Sequence, residues 1–103
     1  MIKVSVMYPN GEGNKLDFDY YCNKHIPMVQ EKLGAACKGV AVDQGLSGAG
    51  PGAPAIYAAM GHLLFDSIED FQTAFGPHAT TFMADIPNYT NIQPIIQISS
   101  VLI

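Results

Sequence analysis

Ile2, Val4, Val6 and Tyr8 alternate with Lys3, Ser5 and Met7. That is the period of a strand, and Pro9-Asn10-Gly11 closes it with turn residues. From Asp17 to Gly34 the period changes. Phe18, Tyr21, Cys22, His25, Met28, Val29 and Leu33 recur at intervals of three and four, so they share one helical face, while Asp19, Asn23, Lys24, Gln30 and Glu31 fall on the other. Asp17 suits the N-cap and Gly34 the stop. Pro27 sits inside this pattern, where it removes one backbone hydrogen bond and clashes with the carbonyl of Asn23. The spacing therefore predicts a kink or break just after His25, with the imidazole turned inward. A lone inward histidine is more often a core residue than a catalyst, so function needs support from elsewhere.

A second strand is predicted from Cys37 to about Leu46 around Val40 and Val42, and a third from Ile56 to Phe65. The third is apolar on both faces, with Ile56, Ala58, Met60 and Leu64 on one and Tyr57, Ala59, Leu63 and Phe65 on the other, so both must be covered. His62 shares the first of these faces, and the small Ala58, Ala59 and Gly61 leave room beside it, which suits a pocket wall as well as a core position. Ser67 caps a second helix with Glu69 and Asp70 in its first turn. Ile68, Phe71, Phe75, Phe82 and Ile86 point inward, and Gly76-Pro77 divides the helix ahead of His78. After the turn-rich Asp85 to Thr90, a fourth strand is predicted from Ile92 to Ile103, with Pro94 near its start.

Strand–helix–strand repeated twice is an α+β pattern, a ferredoxin-like βαββαβ domain over residues 1–103, with four antiparallel strands and two helices on one face. The second face then has no cover within the chain, and pairing with another copy is the simplest way to bury it.

Composition narrows the partners. Five basic residues stand against nine acidic ones, a formal charge of −4, and the lysines form no cluster. This disfavours nucleic acid and anionic membranes. Only 14% of residues are charged while 49% are apolar, which again points to a buried partner face. Met1 leads directly into the first strand with no signal-like segment, so a soluble cytoplasmic protein is expected. Cys22 and Cys37 form no CxxC pair and are expected as thiols. The glycines from Gly45 to Pro54 connect two strands and lack the spacing of a dinucleotide or phosphate loop. No cofactor is expected there.

MIKVSVMYPN at the start, Tyr20-Tyr21 through Asn23-Lys24-His25-Ile26-Pro27-Met28, and Asp85-Ile86-Pro87-Asn88-Tyr89-Thr90 before the last strand resemble the EthD family of the dimeric α+β barrel superfamily. The resemblance spans nearly the whole chain, and Tyr…His-x-Pro is its most specific part. It implies a homodimer with a pocket between the sheet and the helices of each protomer. The family is named for a gene associated with bacterial degradation of a fuel ether and is often labelled oxidoreductase. Related barrels include lactone isomerases, cofactor-free monooxygenases, polyketide-modifying and haem-decomposing enzymes, and proteins without catalysis.

Two functions follow as expectations. One is a cofactor-independent isomerase, dehydratase or oxidoreductase acting on a small apolar metabolite. His25 would be its acid or base, His62 and Tyr89 would donate or orient, Asp85 would polarise a histidine, and Tyr21, Tyr57, Phe75 and His78 would meet the ligand. The other is an accessory protein that only binds such a molecule. A metal or haem site built from Cys22, His25, His62 and His78 is a third reading, weakened by the absence of a paired ligand motif.

Overall fold

The alternating run at the start forms β1, Ile2–Pro9, in the computed structural model, which describes residues 1–103. A single helical turn, α1 (Phe18–Tyr20), passes through a π-helical turn, Tyr21–His25, into α2 (Ile26–Leu33). Strands β2 (Gly39–Gln44) and β3 (Tyr57–Phe65) follow. Next come α3 (Ile68–Phe75), a 3-10 turn at Gly76–His78, α4 (Ala79–Asp85), a second 3-10 turn at Ile86–Asn88, and β4 (Ile95–Ser100). The strands are antiparallel in the order β2-β3-β1-β4, the ferredoxin-like arrangement expected from the sequence. No helix is long and apolar enough to cross a membrane.

The capping residues act as their chemistry requires. Asp17 accepts from the Tyr20 amide and Ser67 from the Asp70 amide, both at 3.1 Å. Gly34 leaves the helix with φ +64°, a conformation that favours glycine. Between the caps, Pro27 does not break the first helix; it is accommodated by widening. The Ile26 amide reaches back five residues to the Tyr21 carbonyl, and α2 restarts with Pro27 in its first turn, where an absent amide has no partner to lose.

The inward stripe is narrower than the spacing predicts. Tyr21, His25, Val29 and Leu33 are buried at a constant interval of four, whereas Cys22 is exposed, because the widened turn swings it off the apolar face. The fourth strand is also shorter than predicted. Ile92 is buried but lies outside the strand pairing, its amide bonded to Thr90 Oγ1, and Pro94 has no amide to give to a ladder, so pairing begins at Ile95. The Gly45 to Pro54 segment folds on itself through Gly48 N to Ala53 O and Ala53 N to Gly50 O.

Helices and sheet meet over two adjoining cores. Val4, Val29, Leu33, Leu63, Phe65 and Phe82 form one, supported by Phe71 and Phe75. Tyr8, Tyr21, Ala59, Tyr89 and Ile92 form the other. The first core carries the fold, since its members come from β1, α2, β3 and α4 together. Phe65 is fully buried with its ring 5.2 Å from that of Phe71. Phe65→Ala should therefore cost about 3–5 kcal/mol, read as a fall in the denaturant midpoint, and a change within experimental error would contradict this account of the core.

Candidate functional site

A cavity of about 480 Å3 lies where the two cores adjoin. Val6, Tyr8, Gly61, Leu63 and Ile96 of the sheet form its floor. Tyr21, His25, Ile26 and Val29 wall it from the first helical segment, and Phe75, Phe82, Met83 and Ile86 from the second. Thr90, Asn91 and Gln93 add polar groups from the segment before β4, and no Asp, Glu, Lys or Arg lines it. Such a wall suits an uncharged and largely apolar molecule, because a buried charge would find no partner there.

His25 is the only histidine on this wall. The π-helical turn holds it at an inward position, 6% exposed, and its Nδ1 lies 2.8 Å from Asp85 Oδ2. Asp85 is fixed in turn at its other oxygen, which accepts from Tyr20 Oη at 2.7 Å and Asn88 Nδ2 at 3.0 Å. Burial opposes the charge of Asp85, but the hydrogen bonds from Asn88, His25 and Tyr20 outweigh it and hold the carboxyl below the usual carboxylate range. An ionised carboxylate only accepts, so the proton of neutral His25 sits on Nδ1 and the lone pair on Nε2. Nε2 has no partner in the protein, and no sealed side-chain polar atom lacks one. It therefore opens on the cavity that His25 lines.

Four tyrosines surround this pair. Tyr8 and Tyr89 share a hydrogen bond of 2.6 Å between hydroxyls, and the Tyr89 ring lies 4.7 Å from the His25 ring. Tyr21 stacks on His25 at 5.7 Å and 18°. Burial pushes the hydroxyls of Tyr8, Tyr21 and Tyr89 well above the usual tyrosine range, and the bond to Asp85 does the same for Tyr20. All four are neutral donors rather than bases near neutral pH.

Of the residues singled out from sequence, His25, Asp85, Tyr89, Tyr21 and Phe75 gather around the cavity. Tyr21, His25 and Phe75 line it; Asp85 and Tyr89 stand behind His25. His62 does not join them. Strand alternation places it on the pleat opposite Gly61, facing away from the helices, with Nδ1 2.9 Å from Ser5 Oγ and Nε2 3.1 Å from Asp43 Oδ2. The room left by Gly61 is on the helix side, where Tyr21 fills it. Tyr57 stands at the start of β3 outside the cavity lining, and His78 packs beside Phe82, their rings 5.9 Å apart, without reaching it. No three His, Cys, Asp or Glu side chains converge in a metal-ligating arrangement.

Three participants were given no role from sequence, Tyr8, Tyr20 and Asn88, and Gly61 was read as leaving room beside His62 instead of beneath Tyr21. Only Asn88 had a local signal, since three residues after an acidic group in a Pro-containing turn is within reach of that group's side chain.

The depressed value of Asp85 makes its contribution pH-dependent. It is present above the unfolded aspartate value of about 4 and is lost as pH falls through the lower folded value. Asp85→Asn should lower the thermal midpoint near neutral pH, and the gap from the unsubstituted protein should close below about pH 4. A gap that stays constant across the acid range would remove the hydrogen-bonded carboxylate from this account.

Known proteins place the chain. A crystal structure of an EthD-like protein from Ralstonia eutropha JMP134 is 46% identical, with a TM-score of 0.95, over 99% of this chain and 92% of that one. An ethyl tert-butyl ether D (EthD) family protein from Bacillus halodurans C-125 is 19% identical, with a TM-score of 0.68 and 99% of both chains covered, a likeness of fold. No curated protein matches the chain. The family model for the EthD domain matches residues 14–93, a span that contains His25, Asp85 and the residues that fix them, and the chain belongs to the EthD family.

Proposed function

We propose that the chain is a cofactor-independent enzyme of small-molecule catabolism or modification that moves a proton on a small, uncharged, largely apolar metabolite. The observation that carries the reading is the His25–Asp85 pair: Nδ1 is pinned on an ionised carboxylate, and Nε2 is left facing an apolar cavity. In that state Nε2 is a base, and Asp85 supports the positive charge that the ring gains on accepting a proton. Removal of a proton beside a carbonyl leaves an enolate with three outcomes. Protonation at another carbon is isomerisation, loss of a β leaving group is dehydration, and attack on dioxygen is oxidation. The His25–Asp85 arrangement supplies the first step common to all three.

The same reading includes a homodimer. Met7, Met60, Leu64 and Ile95 lie on the sheet face turned away from the helices, the face that also carries His62. A second copy stacked on it would bury apolar surface from both chains. An interface of ordinary size, about 800 Å2 per partner, is within reach of such a sheet. Sedimentation at low micromolar concentration should show a dimer; a stable folded monomer would refute this part.

Catalysis is tested by solvent exchange. In deuterated water the protein should accelerate α-deuteration of 2-tetralone or of a β,γ-unsaturated lactone, followed by NMR. His25→Gln should lower the rate by about 10²–10⁴-fold while the probe still binds. A protein that binds these probes without accelerating exchange is the ligand-binding alternative, and exchange undiminished in the variant would sink the assignment of His25.

A further inference from the structure

Gly61 lies in the middle of β3, paired with Val6 on one side and Val42 on the other, and it is buried. Glycine weakens a strand interior, and this one is not at a positive φ, so the backbone does not call for it. Space does. A Cβ at Gly61 would collide with the hydroxyl oxygen of Tyr21, while the next nearest atom, Cζ of the same ring, is at 3.6 Å. The glycine is a seat for that hydroxyl.

What the seated hydroxyl can do follows from its neighbours. Tyr21 and His25 are one helical turn apart with stacked rings inclined by only 18°, and the Tyr21 hydroxyl reaches the sheet at Gly61. The hydroxyls of Tyr8 and Tyr89 are bonded to each other. Tyr21 Oη lies close enough to Tyr8 for the contact to push its own value up and that of Tyr8 down, although the angles of a full hydrogen bond are met only between Tyr8 and Tyr89. Tyr21 is only 1% exposed, and no sealed polar side-chain atom is left without a partner, so the little surface this oxygen keeps is toward the cavity that Tyr21 lines.

We infer that Tyr21 is the hydrogen-bond donor to the substrate oxygen, and that Gly61 is the positioning residue that seats it beside His25. The inference rests on the reading of His25 as the base, and it names the substrate class as an uncharged ketone or lactone. Nε2 of His25 takes the proton from the carbon next to the carbonyl, the C–H electron pair becomes the C=C bond, and the carbonyl π pair moves to oxygen. The Tyr21 O–H donates to that oxygen and keeps its own proton. Burial holds the phenol neutral, so it remains a donor throughout.

The test uses Tyr21→Phe, Gly61→Ala and the double variant, with two readouts. The first is affinity for 2-naphthol relative to naphthalene, which isolates the hydrogen bond from apolar contact. The protein should prefer 2-naphthol by roughly five- to tenfold, and each single variant should lose the preference. A purely structural role for either residue would move stability but not this ratio. The second is α-deuteration of 2-tetralone: each single variant should lower kcat by about 10²–10³-fold with KM little changed. Gly61→Ala should do no further harm once Tyr21 is Phe, because the colliding oxygen is gone. If Gly61→Ala fails to fold and the double variant folds, the seat is supported; if neither folds, it is overturned. Tyr21→Phe that keeps the 2-naphthol preference, or additive effects in the double variant, would also overturn it. Should exchange be absent in every form, the reading of His25 falls and the affinity ratio still decides the role of Tyr21. Should His25→Gln abolish exchange and Tyr21→Phe leave it intact, this inference alone falls.

Discussion

The bond between His25 and Asp85 is the constraint on which the site depends. It joins the end of the π-helical turn to the last residue of α4, so one contact fixes the relation of the two helical arms and the tautomer of the imidazole together. A carboxylate at the C-terminal end of a helix faces the negative end of its dipole and is poorly placed by itself. Three donors, from Tyr20, His25 and Asn88, offset that. Their convergence is why the charge can persist at a side chain only 18% exposed.

The two sheet faces carry histidines in contrasting settings. His25 meets a carboxylate screened by helices and a cavity without charged residues, whereas His62 bonds to Asp43, whose side chain is 64% exposed. Both rings sit beside an acid. Only the first does so beside a largely apolar pocket.

Much of the fold was legible in the sequence because it rests on local rules. Alternation marked β1, a short run apolar on both faces marked β3, Asp17 and Ser67 announced their helices, and Gly34 ended the first one. Pro27 pointed to an irregularity after His25, although the chain widened instead of breaking. The side of the sheet to which His62 belongs was not legible, since a strand with two apolar faces does not say which one the helices will cover. Tyr20 and Gly61 were hidden for another reason: each matters through a partner far along the chain, Asp85 for one and Tyr21 for the other.

The topology also orders events during synthesis. β1 occupies the sheet interior, and its two neighbours are β3 and β4, both made much later. Asp85 follows His25 by sixty residues. A growing chain therefore carries its imidazole long before the acid that orients it, and its first strand waits for partners on either side. The pair that orients the imidazole is complete only when the last third of the protein has emerged, so a prematurely terminated chain would carry His25 without the carboxylate that fixes its tautomer.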